Sequence, residues 1–566
     1  MTATWWLLAL LLPLAAAGAR ALLPRANALA VGVQTASLLP GLALAVLPPT
    51  GVTRLDWAVV GLSFEMDAIA RALTAVAVVL YGVALVAIAR REPRASELSA
   101  FLLACAAGNI GAFTAADAVT FYLFFTLMSY AAVGLVMSTR TPDARRAAVV
   151  YLVLAVTSET ASLAGLILLS GAGGLAVADA PAAVAASPAG GLITALLLVG
   201  FGIKAGLVPL HVWLPLAHPA APPAASAVLS GAMVKAGIVG WLRFLPLGEA
   251  SMPAGHVLVG LGVIGAFGAV IVGLGQTNPK TVLAYSTVSQ LGYLTIVIGI
   301  ALVEPALAAA CVNAVVIYAV HHGLAKGATF LGVSVWQHQA VGRRRWLVVA
   351  GWLVAGAAVV GAPLSGGSVG KYATKYAIEG IAIAGVQVMD VLAWVATGST
   401  LLLLRVAVLL HASRTEPRPA RDPEFAAWLV LVAASATLPW VLTGAWVPVA
   451  DVPELDPVTL WDAAWPVLVG LGFGAIGWTL RGRLARLPVA PAGDLVVIGE
   501  AGVRAAGRTI GRLPSWTPPS TGAFVESSRM LLRRAEGQVS GWTLGLGLLV
   551  GLIVLIALTG GWHALV

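Results

Sequence analysis

The sequence predicts an all-α, polytopic membrane protein of about sixteen transmembrane helices, and three observations lead to this fold class. The 566 residues are 60% apolar and 10% charged, with a mean hydropathy of +0.95, whereas a soluble domain carries roughly 25% charged residues. Apolar runs of about 20 residues, long enough to cross a bilayer as a helix, recur throughout. Arginine-rich and acidic breaks alternate between these runs, as expected when successive helices cross in opposite directions.

The predicted spans take up most of the chain. The first, near 4–19, could also be a signal peptide, but it has no positively charged start and further spans follow at once, which favours a retained helix. The segment 50–66 is too short and too polar to cross. The sixteen spans lie near 4–19, 27–47, 69–89, 97–113, 118–138, 147–170, 190–216, 224–246, 255–275, 281–302, 308–336, 346–385, 389–411, 425–447, 461–480 and 541–561.

The arginines predict how the chain is oriented. They cluster after spans one, three, five, eleven, thirteen and fifteen, at positions 20, 25, 90, 91, 94, 140, 145, 146, 343–345, 414, 418, 421, 481, 483 and 486. Acidic residues such as Asp179 and Glu304 occupy breaks between these clusters. Positive charge favours the cytoplasmic side, so both termini are predicted outside a bacterial or archaeal cytoplasmic membrane. The net charge of +9 therefore indicates orientation and not nucleic-acid binding.

Two spans contain helix-breaking residues, near 201–216 and 360–371. Proline removes a helical hydrogen bond, and a helix broken at membrane depth needs other partners, usually in a protein-lined cavity. Paired breaks indicate a transporter built from inverted repeats. The alternative is two simple kinks, but a lysine accompanies each break, Lys204 in one and Lys371 in the other. The prolines at the breaks are Pro209, Pro215 and Pro363.

These features divide the chain into six predicted regions. They are N-terminal helices (1–95), a first repeat (96–250), a second repeat (251–412), additional helices (413–480), an amphipathic or linker segment (481–540) and a C-terminal span (541–566). The fifth region holds several arginines and prolines, which leaves a surface-lying amphipathic helix and a flexible linker both open.

All six lysines lie between Lys204 and Lys375, among long apolar runs, and the other 27 basic residues are arginine. Lysine in an apolar surrounding can lose its proton, whereas arginine stays charged. A row of buried lysines is therefore a candidate proton path. The predicted path residues are Glu159, Lys204, His211, His218, Lys235, His321, His322, Lys326 and Lys371.

The histidines and the acid of this set each have an alternative interpretation. A lone buried histidine is more often structural, but four histidines beside breaks or lysines favour a path. Metal binding by these histidines is not favoured, because no second set of ligands is evident in the sequence. Glu159 is the only carboxylate well inside an apolar span of the first half, where it and a nearby lysine would set each other's charge.

No cofactor, metal or catalytic residue is predicted. Cys105 and Cys311 are isolated, so neither an iron–sulfur centre nor zinc has a ligand cluster. The glycines at 171–174 do not open a strand–turn–helix unit, so they do not form a nucleotide site.

The stretch 202–243, which contains LPLAHPAAP, closely resembles one family. This family comprises the proton-translocating membrane subunits of respiratory complex I, group 4 membrane-bound hydrogenases and Mrp-type cation/proton antiporters. Stretches 276–293, 322–331 and 361–371 agree with it. The form of the first motif is most similar to the branch of hydrogenase-4 and formate hydrogenlyase. The resemblance implies a fourteen-helix core with two inverted five-helix repeats.

The resemblance also implies roles. Lys204 would be the broken-helix lysine of a first half-channel and Lys235 its link to the next helix. His322 and Lys326 would continue the central axis, and Lys371 would end the second half-channel.

The chain departs from the family at three positions. The family's fifth helix carries Trp-Glu where this chain has Phe125-Thr126, and a threonine cannot hold the lysine's counter-charge. Our hypothesis is that Glu159 supplies it; the alternative is that coupling in the first half-channel is lost. Leu216 and Asn278 also stand where the family usually has acids.

The function expected from these residues is proton translocation by one membrane subunit of a multisubunit complex, without redox chemistry of its own. Three alternatives are a Na⁺(K⁺)/H⁺ antiporter subunit, the membrane subunit of an energy-coupled inorganic-carbon uptake complex, and a structural anchor. The expected partners are other membrane subunits and the lipid bilayer.

Overall fold

The computed structural model describes residues 2–22, 28–59, 61–89, 95–383, 385–413, 423–449, 452–454, 456–484, 491–493 and 497. The predicted span 541–561 and nearly all of the predicted amphipathic or linker segment lie outside the described residues. So do the arginines predicted at positions 25, 90, 91, 94, 414, 418, 421 and 486.

The described chain is almost entirely helical, as predicted. Its first half contains α1 (Thr2–Leu22), α2 (Ala28–Ala36), α3 (Leu39–Val46), α4 (Ala68–Ile88), α5 (Ala95–Thr114), α6 (Ala118–Met137), α7 (Pro142–Gly171), α8 (Ala180–Ala186), α9 (Gly190–Ala205), α10 (Trp213–Ala220), α11 (Pro223–Val228) and α12 (Val234–Phe244). A 3₁₀ turn (Leu210–Val212) precedes α10, and a π-helical turn (Leu229–Met233) joins α11 to α12.

The second half begins with α13 (Ala254–Val263), α14 (Ala269–Leu274), α15 (Pro279–Val303), α16 (Ala308–Gln339), α17 (Arg344–Val360) and α18 (Gly366–Ala377). It continues with α19 (Val388–Ala412), α20 (Pro423–Leu442), α21 (Pro457–Thr479) and the short α22 (Arg481–Leu484). A π-helical turn (Ile264–Gly268) links α13 to α14. A 3₁₀ turn (Pro305–Leu307) precedes α16, and two antiparallel hairpins are present, β1 (Thr53–Leu55) with β2 (Leu62–Phe64) and β3 (Ala382–Ile383) with β4 (Val386–Gln387).

Within the described part of the chain, thirteen helical segments are long and apolar enough to cross a membrane. Two further predicted spans are divided. The span near 27–47 consists of α2 and α3, because Pro40 starts a new helix there. The span near 346–385 consists of α17 and α18, followed by the β3–β4 hairpin. The polar segment 50–66 does not cross; it holds the β1–β2 hairpin.

Both predicted helix breaks are present. The first separates α9 from α10, and Gly206 ends α9 with a left-handed φ of 72°. The second separates α17 from α18, and Gly361 ends α17 with a φ of 73°. Glycine adopts this conformation without steric cost, which explains why both helices stop there.

Consecutive spans cross in opposite directions and so define two faces of the molecule. The arginine face carries Arg20, Arg140, Arg343 and Arg481, and the acidic face carries Asp56, Asp179, Glu304 and Asp456. The broken helix α9–α10 runs towards the arginine face, whereas α17–α18 runs away from it. This opposition is what inverted repeats require; the predicted repeat boundaries remain a prediction.

The centre of the molecule is the most deeply buried part. Every residue of the window through α11 and α12 is buried, and so is 94% of the window through α15. Close packing of glycine holds these helices together: a Cβ added to Gly237 of α12 would lie 2.5 Å from the backbone nitrogen of Ala205 in α9. The first break is therefore fixed against the centre.

Candidate functional site

The first lysine of the path lies in a buried aromatic pocket. Lys204, 1% exposed, is in the last turn of α9. Its Nζ donates a 2.9 Å hydrogen bond to the hydroxyl of Tyr151 on α7, and lies 5.7 Å from the ring centre of Phe125 on α6. The Tyr151 hydroxyl in turn donates to the carbonyl of Ser129 at 3.0 Å. The direct partner of this ammonium is thus a neutral hydroxyl and not a carboxylate.

Glu159 lies beside this pocket and contacts the residue that departs from the family pattern. Glu159 is 2% exposed, and its Oε2 accepts a 2.7 Å hydrogen bond from the Thr126 hydroxyl. Its Oε1 has no hydrogen-bond partner in the described chain. The charges of Glu159 and Lys204 act on each other across the pocket. The acid predicted to replace the missing glutamate therefore lies directly against the threonine that occupies the glutamate's position.

The π-helical turn positions the second lysine. An insertion of this kind misaligns the helical hydrogen bonds and is frequent at functional sites. Here the carbonyl of Ser230 accepts a 2.6 Å hydrogen bond from Lys235 Nζ, five residues later. The same Nζ lies 2.9 Å from Nδ1 of His322 on α16. When Lys235 is charged and donates to Nδ1, His322 must be neutral with its other ring proton on Nε2. The hydrogen bond between Lys235 and His322 therefore holds one proton that either group can carry.

The third lysine joins this pair through hydroxyl and carbonyl groups of α15. Lys326, fully buried, donates to Ser286 Oγ at 2.6 Å and to the Leu283 carbonyl at 3.2 Å. Thr287 donates to the same carbonyl at 3.0 Å, and its hydroxyl lies 2.8 Å from Ser230 Oγ. Polar groups of Ser230 and Thr287 therefore lie between Lys235 and Lys326, but Lys235 bonds the Ser230 carbonyl and Thr287 contacts the Ser230 hydroxyl, so the hydrogen bonds do not form one continuous chain.

The two histidines of α10 and its preceding turn have different surroundings. His218 is fully buried and stacks on Phe330 with ring centres 4.3 Å apart. The charges of Lys280, Lys326 and Lys235 all act on it. His211 belongs to the 3₁₀ turn and approaches the ring of Tyr285, with centres 6.3 Å apart. His211 lies in the 3₁₀ turn and His218 in α10, and their rings contact different helices, His211 that of Tyr285 on α15 and His218 that of Phe330 on α16.

His321 connects the centre with the second break. Its ring lies edge-on to Tyr318, with centres 4.4 Å apart. Tyr318 donates to Gln290, whose amide donates to Ser399 Oγ at 2.7 Å. A Cβ added to Gly370 on α18 would lie 2.9 Å from Nε2 of His321. The imidazole therefore packs directly against the helix that carries Lys371.

The last lysine of the path opens onto a cavity. Lys371 Nζ donates to the carbonyl of Val360, the last residue of α17 before the break. It lines a cavity of about 600 Å³ between α18, α19 and α21 on the acidic-face side. Charged and hydroxyl groups share this cavity with it, namely Tyr293, Ser368, Tyr372, Lys375, Tyr376, Glu379, Asp390, Thr459 and Asp462.

Lys280 lies at the opposite end of the centre, near the arginine face. It is in the first turn of α15 and donates a 2.5 Å hydrogen bond to the Ala221 carbonyl between α10 and α11. It also lines a polar cavity of about 320 Å³ with His338 and Glu424. Lys280 thereby joins this cavity to the segment between α10 and α11, on the arginine-face side of the central lysines.

Sequence reasoning missed two groups of the pocket around Lys204. Tyr151 contacts the lysine directly, and Thr126 binds Glu159. A usable signal was present: Tyr151, Ser158 and Glu159 are seven and eight residues apart, which places them on one face of an apolar helix. For Thr126 the signal was its position, where the family has the glutamate; the hydrogen bond from its hydroxyl to Glu159 was not predicted, because an isolated threonine in an apolar span usually bonds its own helix.

The fold and this site together define a class: a many-helix membrane protein with two oppositely directed broken helices and a buried row of lysines and histidines between them. Comparison with known proteins agrees. The model of the NADH:quinone oxidoreductase/Mrp antiporter transmembrane family matches residues 115–397, half of the chain. The chain belongs to this family, which confirms the resemblance inferred from its motifs.

Individual relatives are similar over part of their length. An uncharacterized protein of Mycobacterium tuberculosis (strain ATCC 25618 / H37Rv) is 33% identical over 48% of this chain and 43% of its own. Hydrogenase-4 component B of Escherichia coli (strain K12) is 28% identical over 38% of this chain and 34% of its own. The matches therefore span less than half of these curated relatives.

One solved structure covers nearly the whole chain. A chain of the Mrp complex from Dietzia sp. DQ12-45-1b superposes with a TM-score of 0.73, at 22% identity, over 95% of this chain and 63% of that one. At this identity the likeness shows the fold, and it confirms the helical membrane architecture.

Proposed function

We propose that this chain is a proton-translocating membrane subunit of a multisubunit complex. Protons would move along the path Glu159, Lys204, Lys235, Lys326 and Lys371, assisted by histidines 211, 218, 321 and 322. The proposal gains support from the names of relatives, which include a hydrogenase-4 component and a chain of an Mrp complex. We further propose that its partners are other membrane subunits, and that the arginine face is cytoplasmic, with both termini outside.

One observation carries the proposal: the hydrogen-bonded centre formed by Lys235, His322, Ser230, Thr287 and Lys326. Two ammonium groups this deep in protein are expensive to maintain together. Each of their neighbours is a hydroxyl, an imidazole or a carbonyl, all neutral. The contact of Lys235 with His322 is suited to hold one proton that either group can carry, and the hydroxyl groups between this pair and Lys326 supply polar groups for its transfer.

The role of Glu159 belongs to this proposal. Because Lys204 bonds a neutral hydroxyl, its charge is balanced across the pocket and not by contact. Glu159 is the carboxylate that supplies this balance, held by Thr126. A proton arriving at Glu159 would remove the balancing charge and favour release of the Lys204 proton towards the centre.

The direct test is coupled proton transport by the complex containing this chain, reconstituted in liposomes with an internal pH-sensitive dye. Lys235→Met and Lys326→Met should each lower the transport rate at least tenfold, because methionine fills the space but carries no proton. Arg54→Met is the matched control, since Arg54 and its partner Asp56 are exposed on the acidic face. Normal transport in either lysine variant would contradict the proposal.

The same liposomes decide the identity of the ion. Transport that continues without Na⁺ or K⁺ supports the proton as the translocated ion. Transport that stops without one of these cations supports the antiporter-subunit alternative. In both cases Lys235 and Lys326 remain necessary, so the path and the ion are tested separately.

A further inference from the structure

Lys375, like Lys280, has no role in the proposed path, and the structure gives Lys375 a distinct partner. It lies one turn after Lys371 on the same face of α18, and its Nζ forms an ion pair with Asp462 on α21. The two side chains are 45% and 39% exposed, and both line the cavity that reaches Lys371. We call this ion pair the outer latch.

The outer latch joins two helices that differ in their relation to the family. α18 is part of the segment that matches the family model, whereas α21 follows that segment. α21 is also the least buried of the described membrane-length segments, with 11% of its window buried. Its hold on the rest of the chain includes the contact of Trp465 with Trp394, ring centres 5.5 Å apart, and a 2.7 Å hydrogen bond from Thr397 to the Pro466 carbonyl.

α21 is locally weak at the latch. Proline has no backbone N–H, so Pro466 leaves the carbonyl four residues earlier, that of Asp462, without its helical donor. The helix therefore loses a hydrogen bond at the residue that holds Lys375. A small rotation of the segment before Pro466 costs less here than in an uninterrupted helix.

We propose that Asp462 is the outlet carboxylate of the proton path and that its ion pair with Lys375 gates the cavity above Lys371. This proposal rests on the proposed function, because it needs a proton to arrive at Lys371. The transfer balances: the Lys371 ammonium gives one proton through cavity water to the Asp462 carboxylate, leaving a neutral amine and a neutral carboxylic acid. The acid then releases the proton to the acidic-face solution, and the carboxylate pairs with Lys375 again.

The charges around the cavity favour this sequence of events. Protonation of Asp462 removes the attraction that holds α21 against α18, so the mouth opens when a proton is present. It also leaves the Lys375 ammonium one turn from Lys371, where its charge opposes return of a proton. The other titratable groups facing the cavity are Tyr293 on α15, Lys371, Tyr372 and Tyr376 on α18, Glu379 after it, and Asp390 on α19.

Thiol labelling tests the gate without any transport measurement. Ser368 is 8% exposed and lines the cavity, so Ser368→Cys places a thiol behind the latch. The full-length chain would be labelled with a cationic and an anionic methanethiosulfonate reagent, both membrane-impermeant. Adding Asp462→Asn or Lys375→Met should raise both labelling rates about fivefold, the most that a half-exposed ion pair supports. The double variant of Asp462→Asn with Lys375→Met should give no further increase in the labelling rates.

Three controls keep this result specific. The two native cysteines are buried, so the parent chain measures background labelling. Asp390→Asn removes a carboxylate from the same cavity without touching the latch, so it should not raise the cationic and anionic labelling rates together. If Asp462→Asn raises the labelling rate of one reagent and lowers that of the other, the effect is electrostatic only and the gate is excluded. Unchanged rates exclude it equally.

Transport by the reconstituted complex tests the outlet role. Asp462→Asn should lower proton transport about tenfold, and Asp462→Glu should restore most of it, because glutamate also accepts a proton. Lys375→Met keeps the acceptor and should retain most of the forward rate. Equal losses in Asp462→Asn and Lys375→Met would indicate a purely structural bridge and overturn the outlet role.

The two proposals fail in different ways. If the wild-type complex moves no protons, the proposed function fails and the outlet role fails with it, while thiol labelling still decides on the gate. If transport needs Lys235 and Lys326 but both latch variants transport and label normally, the proposed function stands and the latch proposal is wrong.

Discussion

The pockets of Lys204 and Lys371 show that two helix breaks of the same kind can surround a lysine in different ways. Both lysines accompany a broken helix that ends at a left-handed glycine. Lys204 is enclosed by aromatic rings and a neutral hydroxyl, with its balancing acid one side chain away. Lys371 bonds the open end of its own broken helix and faces a cavity of about 600 Å³. Under the proposed function, the first pocket would hold a charge and the second would release one.

The difference follows from which side of the break each lysine occupies. Lys204 precedes its break, so it is held within an intact helix end and depends on other helices for partners. Lys371 follows its break, so the freed carbonyl of Val360 lies within its reach. Moving one proton against 100 mV costs about 2.3 kcal/mol. A small difference in the partners of the two lysines is thus on the energy scale of the transport itself.

The largest expected effect comes from moving the carboxylate of the first pocket. Glu159→Gln should lower coupled proton transport at least tenfold, about 1.4 kcal/mol, because Lys204 loses its balancing charge. The double variant Thr126→Glu with Glu159→Gln should recover much of the rate, since the two side chains are 2.7 Å apart and exchange places. Proton uptake by reconstituted complex measures both.

A matched control for this exchange is Glu97→Gln. Glu97 pairs with Arg140 at the arginine face, away from the pocket, and its loss should leave transport unchanged. Full activity in Glu159→Gln alone would refute the compensating role of Glu159. Failure of the double variant to recover, with the protein folded, would mean that the helix bearing the acid matters and not only the charge.

The next effect separates the two breaks. Alanine in a left-handed conformation is strained, so Gly206→Ala and Gly361→Ala should each lower the free energy of unfolding by about 1–2 kcal/mol. Their effects on transport should differ. A Cβ at Gly361 would lie 2.5 Å from Lys371 Cδ and displace the ammonium, whereas one at Gly206 would meet Leu214 Cδ1 at 2.6 Å.

Transport per folded protein should therefore fall several-fold in Gly361→Ala and little in Gly206→Ala. Thermal unfolding of the purified chain supplies the stability measurement, and liposome uptake supplies the rate. Equal transport losses would show that both lysines depend on their breaks in the same way, which would remove the distinction between holding and releasing pockets.

The sequence predicted the breaks because their signals are local. Proline and glycine act on the residues beside them, so Pro209 and Pro363 marked the interruptions without any knowledge of tertiary contacts. The helical spans were predictable for a similar reason, since each span is recognised from the hydropathy of its own residues. The division of the span near 27–47 was not predicted, because its second half is as apolar as its first and Pro40, which favours a helix start, lies inside the apolar run.

The partners of the buried lysines were less predictable. His322 and Lys326 are four residues apart, which suggested that they act together. In the structure His322 instead bonds Lys235, 87 residues away, and Lys326 bonds Ser286. Such contacts depend on how helices pack, and local spacing does not contain that information. The pairing of Lys375 with Asp462 escaped sequence reasoning for the same cause.

A moderate effect should follow from removing the hydroxyl that contacts Lys204. Tyr151→Phe deletes the acceptor of the Lys204 ammonium while keeping the ring contact with Trp213, centres 5.1 Å apart. Hydrogen bonds to charged groups are worth about 1.5–3 kcal/mol, but Glu159 remains in the pocket, so we expect a loss of transport of a few-fold. Tyr130→Phe, with a ring 43% exposed, is the matched control. If Tyr151→Phe behaves like the wild type, the pocket balances Lys204 through Glu159 alone.

The smallest effect on transport should come from an ion pair that lies outside the path. Asp67 caps the start of α4 and forms a two-armed ion pair with Arg243 at the end of α12. Burial alone would raise the pKa of Asp67, but the Arg243 guanidinium and the Ala70 hydrogen bond outweigh it and leave this pKa below its ordinary value. Asp67→Asn should lower the free energy of unfolding by about 1–2 kcal/mol at neutral pH and leave transport unchanged.

The pH dependence of stability tests whether Asp67 acts through its ion pair with Arg243. A carboxylate whose folded pKa is depressed stabilises the protein above its unfolded pKa, about 3.9, and loses that contribution as pH falls through the folded pKa. The stability gap between wild type and Asp67→Asn should therefore be constant above about pH 5 and close at lower pH. Thermal unfolding of the full-length chain measures the gap, with Asp56→Asn, whose side chain is 82% exposed, as the control without a gap. The absence of a gap at neutral pH would mean that Asp67 acts as a helix cap and not through Arg243, because asparagine caps a helix nearly as well as aspartate. A gap that persists in acid would contradict the explanation by charge. Transport that falls with Asp67→Asn would place this ion pair in the path and erase its contrast with Lys375 and Asp462.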